Sequence, residues 1–349
     1  MDTETFQPPA TKHALKRGLI SGGVGLGLVV ISTLAITQTE IADGAMTDLI
    51  ERARLGPLLL SWAMVPLAFY FLGRRWRALI PQPYTPPGGG LAAILSAGLL
   101  INTALPGPVG EFGAAWFAHK RYGVPLPISL ASGVGARLVG VWMAAAAAVL
   151  VWVIADLPTP QGWDLAIAGV AAVIGATGLG LGLIALKPHW VKRISEHTLN
   201  RGGQGRVGRA LGTAHTMVCE VADAQASLRG GSARGMLACI AWSFIAHLIV
   251  IAGIAVAIWS LGATPSMAGL LFTYAATTAG VIIMFALPGS QVGWDALFLT
   301  LLVSTAGMNT PDALLITVVV RVQQLSVMVG GAVALSWLLK GKNPSSSEE

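Results

Sequence analysis

The sequence has few charges for its length. Of 349 residues, 22 are lysine or arginine and 16 are aspartate or glutamate, so the charged fraction is 11%. An ordinary soluble domain carries roughly 25%, and so few charges do not cover a water-facing surface of this size. The hydrophobic fraction of 54% and the mean hydropathy of +0.70 agree with this. The composition therefore indicates an integral membrane protein and excludes soluble enzymes and nucleic-acid binders, despite a net charge of +6.

Cysteines and catalytic motifs are also scarce. The two cysteines, Cys219 and Cys239, do not make a disulfide framework. His215 lies on the same helical face as Cys219, but no dense ligand spacing completes a zinc site. The sequence shows neither a P-loop nor a nucleophile and base oriented by a third group. We therefore expect no metal, no cofactor and no catalytic residue, and we do not expect an enzyme.

Six apolar stretches are long enough, or nearly long enough, to cross a bilayer. A hydrocarbon core of about 30 Å needs about 20 apolar residues in a helix. The predicted transmembrane helices are 18–36, 56–73, 129–154, 163–186, 235–261 and 313–339.

Two further apolar regions, 91–120 and 268–307, are interrupted by the same tripeptide. Leu-Pro-Gly occurs at 105–107 and again at 287–289. Proline removes a helical hydrogen-bond donor and clashes with the preceding turn, and the neighbouring glycine loosens the backbone further. We therefore predict that the helix in each region breaks at membrane depth. The breaking residues are Pro106, Gly107, Pro288 and Gly289.

The basic residues indicate whether each broken region crosses the membrane or turns back, because cytoplasmic loops are rich in lysine and arginine. A region 91–120 that enters and returns places most of the 22 basic residues in the cytoplasm, including those of 187–234, and leaves Arg52 and Arg54 outside. We therefore predict an all-α polytopic membrane protein with six full transmembrane helices, two re-entrant broken-helix hairpins and both termini in the cytoplasm. The predicted cytoplasmic flanks of the first two helices contain Lys12, Lys16, Arg17, Arg74, Arg75 and Arg77.

The predicted organisation is one transmembrane domain, 18–340, between two short tails. Residues 1–17 form a cytoplasmic tail, and the Ser- and Glu-rich residues 341–349 are predicted to be disordered. In the segment 187–234, apolar residues recur at helical spacing with charged residues off that stripe. We predict an amphipathic helix there on the cytoplasmic interface. A helix packed beneath the bundle explains the same pattern.

The regions 91–154 and 268–339 form an internal repeat. Besides the shared tripeptide, an acidic residue precedes an arginine by 26 positions in both copies. The first copy is predicted to enter from the cytoplasm and the second from outside, so their topology is inverted. Inverted repeats with discontinuous helices are typical of secondary transporters, which bind substrate at the repeat interface. The alternative is a duplication that serves packing alone.

Four charged residues are predicted to lie at membrane depth, namely Glu111, Arg137, Asp295 and Arg321. Each arginine costs at least about 2.5 to 3.5 kcal/mol near the bilayer centre. Because the four charges sum to zero, mutual pairing offsets much of this cost. One interpretation is therefore structural, with two buried ion pairs that fasten each hairpin to a transmembrane helix.

The other interpretation is a binding site for an anionic or zwitterionic lipid head group. The amides after each Pro-Gly open a half-helix whose positive dipole end points toward the protein centre. Arginine supplies a planar, bidentate grip on a phosphodiester. The acids then pair with the arginines in the empty site, or contact a cationic head group.

At these residues the chain resembles the lysylphosphatidylglycerol synthase transmembrane-region family of flippase-like membrane proteins. The resemblance implies a domain that moves lipids, in particular aminoacylated phosphatidylglycerol, between the leaflets of a bacterial-type cell membrane. This sequence differs from the two-domain members in showing no soluble aminoacyltransferase domain, so we expect a stand-alone member. The matching positions are Arg75-Trp76, Asn102, Leu105-Pro106-Gly107, Gly110-Glu111, Arg137, Pro288-Gly289, Gly293, Asp295 and Arg321.

Three functions remain open from the sequence. The leading hypothesis is a lipid transporter that moves a phospholipid, an aminoacyl-phospholipid or another amphipathic lipid by alternating access. The second is a non-transporting membrane partner that docks a lipid- or glycolipid-modifying enzyme through the segment 187–234. The third is an intramembrane enzyme that uses Glu111 or Asp295 as an acid–base group. The expected ligand is a membrane lipid in the first case, and a lipid-modifying enzyme is the expected partner in the second.

Overall fold

A computed structural model describes residue 51 and residues 53–104, 109–158, 233–284 and 290–339. These residues form helices and their connections, with no strand among them. The predicted helices 18–36 and 163–186, the two Leu-Pro-Gly tripeptides and all but the end of 187–234 lie outside the described residues. In chain order the described helices are α1 Leu55–Leu79, α2 Gly88–Ala104, α3 Val109–Tyr122, α4 Leu126–Ala155, α5 Ala233–Ser260, α6 Met267–Met284, α7 Ser290–Ser304 and α8 Thr310–Leu339.

Four of these helices, α1, α4, α5 and α8, are long and apolar enough to cross a membrane. They confirm the helices predicted at 56–73, 129–154, 235–261 and 313–339. Both α4 and α8 begin three residues earlier than hydropathy predicts, because a proline, Pro127 or Pro311, stands in the first turn of each. Proline is favoured there, since its missing N–H has no helical partner in any case.

Each interrupted apolar region contains two separate helices that lie antiparallel. In the first region the start of α2 lies beside the end of α3, where Gly90 contacts the Tyr122 hydroxyl. Nearer the break, Gly98 of α2 lies against the backbone of Gly110 in α3. In the second region, α6 and α7 are related in the same way, and the amide of Ser266 donates to the carbonyl of Ala306 at 2.9 Å. Helices α2 and α3 therefore run antiparallel, and so do α6 and α7.

Helices α2 to α4, here the N-terminal unit, match helices α6 to α8, the C-terminal unit, in length and order. Their lengths are 17, 14 and 30 residues in the first unit and 18, 15 and 30 in the second. A glycine with positive φ follows the second helix of each unit, Gly123 at 66° and Gly307 at 71°. Residues with a side chain rarely adopt this conformation, so both turns favour glycine.

The two units pack by exchanging partners. The long helix α4 packs against α6 of the C-terminal unit, and α8 packs against α2 of the N-terminal unit. At the second contact, Gly331 lies so close to the backbone of Ser96 that a methyl group would collide with it. Helices α1 and α5 pack along each other at the side of both units. One apolar core lies mainly between α1, α2, α3 and α4, and another lies between α5, α6, α7 and α8.

Candidate functional site

A cavity of about 300 Å³ lies between the two units. Every described helix except α3 contributes to its wall, and α1 and α5 supply apolar side chains such as Met64, Phe69 and Ile249. One arginine from each unit, Arg137 of α4 and Arg321 of α8, faces the same space. The wall also contains Tyr274, Trp294, Gln323 and Gln324. The cavity is therefore largely apolar, with two guanidinium groups in its wall.

Both arginines hold the same position in their helices. Each lies eleven residues after the first residue of its helix (126 to 137 and 310 to 321). At 1.5 Å per residue this places Arg137 and Arg321 roughly 16 Å along helices of about 45 Å. Such a depth is close to the centre of a hydrocarbon core about 30 Å thick. Each guanidinium therefore needs a partner inside the protein.

The first partner is a glutamate at the start of a short helix. Arg137 Nη1 forms an ion pair with Glu111 Oε1, which belongs to the first turn of α3. A carboxylate at this position is also favoured by the positive end of the helix dipole. The arginine side chain is 32% exposed and the glutamate side chain 20%. This pair is therefore reachable from the space around it.

Asn102 joins the end of α2 to the start of α3 beside that ion pair. Its Oδ1 accepts a hydrogen bond from the Gly110 amide at 2.6 Å, and its Nδ2 donates to Glu111 Oε1 at 3.4 Å. A methyl group on Gly110 would collide with Gly98 and with Asn102 itself. Glycine is therefore required at 110 by close approach of the two helices, and Asn102 fixes the glutamate in front of Arg137.

The second ion pair is more enclosed. Arg321 Nε donates to Asp295 Oδ1 at 2.5 Å, and Arg321 Nη1 donates to Gln324 Oε1 one turn further along α8. The ring of Trp294 covers the guanidinium, with the Arg321 Cζ 5.0 Å from the ring centroid. Phe298 stacks on that ring, with 4.7 Å between the two ring centroids. As a result the Arg321 side chain is only 7% exposed.

The structure places seven of the predicted site residues. Arg137 and Arg321 line one cavity, and each pairs with the acid of its own unit rather than with the acid of the other unit. Asn102 and Gly110 support Glu111, whereas Gly293 lies on α7 two residues before Asp295. The other four predicted site residues are outside the described residues: Pro106, Gly107, Pro288 and Gly289.

Several cavity residues were not predicted. Gln323 and Gln324 form a polar dipeptide inside an apolar helix, and that signal was available in the sequence. Gln323 Nε2 donates to Ser61 Oγ at 2.7 Å and so ties α8 to α1. Tyr274 and Trp294 could not be recognised as cavity residues from the sequence, because aromatic residues are common in apolar helices. Within the described ranges, no group of three His, Cys, Asp or Glu side chains lies together as a metal site.

Comparison with models of known protein families identifies the family of this chain. A family model described as the lysylphosphatidylglycerol synthase TM region matches residues 19–331. The match covers α1 to α7, the part of α8 up to residue 331, and both ion pairs. A search of curated proteins and a search of solved structures found no match.

Proposed function

Because the chain belongs to the lysylphosphatidylglycerol synthase TM region family, we propose that it moves a membrane lipid between leaflets by alternating access. It is a multi-pass membrane protein, with four membrane-spanning candidates among its described helices. In the proposal, the cavity between the units receives the lipid head group, and no chemical conversion occurs. The cell membrane is the proposed location, with both termini in the cytoplasm.

One observation carries the proposal: Arg137 and Arg321, from two different units, line the same cavity. Intramembrane charges that serve packing alone need only face each other. Here each arginine already has an acid, and both still face a common space of about 300 Å³. Pockets for small ligands begin at about this volume and combine apolar walls with a few placed polar groups. The cavity therefore suits the polar end of an amphiphile.

In the proposed mechanism, each acid pairs with an arginine when no head group is bound. In the empty site Glu111 holds Arg137 and Asp295 holds Arg321. A phosphate oxygen offers the same acceptor chemistry as a carboxylate, and a guanidinium binds either one through parallel N–H donors. An arriving head group exchanges with a carboxylate, and the site returns to its paired state when the lipid leaves.

The two units supply the proposed alternating access. Matched helix lengths, matched positions of the arginines and the exchange of partners between units support an inverted repeat with re-entrant hairpins. In transporters of this kind one repeat moves against the other around a site near the bilayer midplane. Here α2 with α3 and α6 with α7 are the proposed re-entrant elements, and each holds an acid at the start of its second helix or near it.

The test measures whether lipid transport requires the ion pair between Glu111 and Arg137. The double variant Glu111→Gln, Arg137→Met removes one ion pair without leaving an unpaired charge, so the fold is expected to survive. In vesicles with a fluorescent phospholipid, we expect its rate of leaflet exchange to fall at least about tenfold, because a guanidinium contact of about 1.5 to 3 kcal/mol is lost. Arg77→Gln, an exposed arginine at the end of α1, is the matched control. Unchanged exchange in the double variant would contradict the proposal.

The same protein-containing vesicles distinguish transport from the two other hypotheses, a docking partner and an intramembrane enzyme. A docking partner requires the segment 187–234, which lies outside the described residues, so its deletion would matter more than loss of the arginine. An intramembrane enzyme would convert lipid in the purified protein, and mass spectrometry of the vesicle lipids would show the product. Intact lipid together with arginine-dependent exchange supports transport.

A further inference from the structure

Arg75 of α1 is a half-buried arginine of a different kind. Its Nε is buried without a hydrogen-bond partner, and within the described residues Arg75 has no ion pair. Its Nη1 fills the space over Gly140 of α4, where a methyl group would collide with it. Since isolated buried charges are costly, this guanidinium needs an anion that the described residues do not provide.

Two of the polar side chains near Arg75, His247 and Tyr274, are bonded to each other. His247 of α5 contacts the Gly140 carbonyl through Nε2 at 3.0 Å and the Tyr274 hydroxyl through Nδ1 at 2.6 Å. A carbonyl only accepts, so Nε2 carries a proton and donates it to the Gly140 carbonyl, while Nδ1 shares a hydrogen bond with the tyrosine hydroxyl. Both ring nitrogens of the histidine are therefore bonded. The histidine cannot serve as a partner for Arg75.

Arg75 also lies close to the cavity. Tyr274 is in the cavity wall, and both Tyr274 and Arg137 are near enough to Arg75 to interact with its charge. Arg75 and Arg137 repel each other, and Glu111 is the acid that pairs with Arg137. Two cations thus share one acid on this side of the cavity.

The other side of the cavity has no such excess. Among the described groups around Arg321 are Asp295, Gln324 and Trp294, and no second cation is present among them. Counted together, the three arginines and two acids described around the cavity carry a net charge of +1. The excess lies entirely on the side of Arg75 and Arg137.

We infer that Arg75 is a third head-group arginine, which with Arg137 seats a phosphate that carries one negative charge. The inference rests on the proposed function and narrows it to lipids whose head group has a net charge of −1. A phosphodiester has this charge, and a guanidinium fork matches its oxygens. The one-sided excess sets the orientation: the phosphate lies toward α1 and α4, and the uncharged remainder of the head group lies toward Arg321.

The experiment measures lipid preference in the purified full-length protein. Binding of dioleoylphosphatidylglycerol, net charge −1, and dioleoylphosphatidylcholine, net charge zero, is titrated by native mass spectrometry in a neutral detergent. We expect the wild type to prefer phosphatidylglycerol by about tenfold, the factor that corresponds to one charge-assisted contact. Arg75→Gln should remove the preference while phosphatidylcholine still binds. Arg77→Gln should retain it, because that side chain is exposed.

A second variant keeps the charge but moves it. Gly140→Ala places a methyl group where Arg75 Nη1 lies, and the flexible end of the arginine can shift without unfolding the helix. We expect the same loss of preference, with an unfolding temperature close to that of the wild type. This variant decides the outcome if Arg75→Gln fails to fold.

The outcomes are distinguishable. A preference that survives in both Arg75→Gln and Gly140→Ala, or a wild type that binds the two lipids equally, overturns the Arg75 subsite and leaves lipid binding intact. A wild type that binds neither lipid overturns the proposed function together with the subsite. Glycerol 3-phosphate is added as a competitor: failure to displace phosphatidylglycerol at a thousandfold excess identifies the ligand as a lipid, and full displacement identifies a soluble phosphate and overturns the lipid assignment.

Discussion

The two ion pairs have the same charges and the same spacing, yet one is open and the other is covered. The Arg137 side chain is 32% exposed and the Arg321 side chain 7%. The residue before the acid accounts for the difference. Gly110 precedes Glu111 and lets α3 lie flat against Asn102, whereas Trp294 precedes Asp295 and covers Arg321 with its ring. The two ion pairs thus differ in solvent exposure because a glycine precedes one acid and a tryptophan precedes the other.

This difference in exposure sets the order in which the head group contacts the two arginines in the proposed transport cycle. A head group can reach Arg137 without displacing an aromatic ring. Reaching Arg321 requires Trp294 to move, and Gln324 must also release the guanidinium. The open pair is therefore the expected first contact for the lipid, and the covered pair is the expected second.

The largest expected effect comes from neutralising the covered arginine. Arg321→Gln removes an arginine that is only 7% exposed and leaves Asp295 without its cation, and breaking a buried pair in this way costs about 3 to 5 kcal/mol. Arg137→Gln should cost less, because the Arg137 side chain is 32% exposed and water can reach its ion pair; exposed pairs contribute only about 0 to 1 kcal/mol. Thermal unfolding of both variants in one detergent measures the order. Equal losses would show that exposure does not distinguish the two pairs.

The next effect concerns the glycine that keeps the first pair open. Gly110→Ala forces α2 and α3 apart at Gly98 and Asn102, and overpacking of this kind costs about 1 to 3 kcal/mol. Gly113→Ala in the same helix is the matched control, because its nearest neighbour is the flexible end of Ile101 at 3.1 Å. There we expect no loss, since alanine favours the helix. A Gly110→Ala protein as stable as the Gly113→Ala protein would refute the close approach.

The smallest effect tests the aromatic cover. Trp294→Leu removes the ring from Arg321, and such a cation–π contact contributes about 0.5 to 2 kcal/mol. We also expect Arg321 to react faster with phenylglyoxal, approaching the rate of Arg137, as measured by peptide mass spectrometry. Trp142→Leu, which changes an exposed tryptophan of α4, is the control and should leave both rates unchanged. No change in labelling of Arg321 would mean that another group covers it.

Much of this framework could be predicted from the sequence. Hydropathy located α1, α4, α5 and α8, and the two Leu-Pro-Gly tripeptides marked where the short helices separate. The interval of 26 residues between acid and arginine also had structural meaning, because it places an acid near the start of a short helix beside an arginine in the middle of the next long helix.

The direction of individual side chains could not be predicted in this way. The sequence placed Arg74, Arg75 and Arg77 together at a cytoplasmic flank, but α1 continues through all three, and successive residues of a helix point about 100° apart. Arg74 lies over the ring of Trp242, Arg77 is exposed, and Arg75 turns inward to Gly140. Hydropathy averages over a window and contains no information on these directions.

The exchange of partners between the units bears on the order in which the protein is made. Helix α4 leaves the ribosome long before α6, the helix against which it packs. Glu111 precedes Arg137 in the chain, so the arginine can be neutralised as soon as α4 is synthesised. The newly synthesised N-terminal unit would then enter the bilayer with its arginine paired, but with the surface of α4 that packs against α6 still uncovered. Lipid or an insertion factor must contact that surface until the C-terminal unit is synthesised and packs against it.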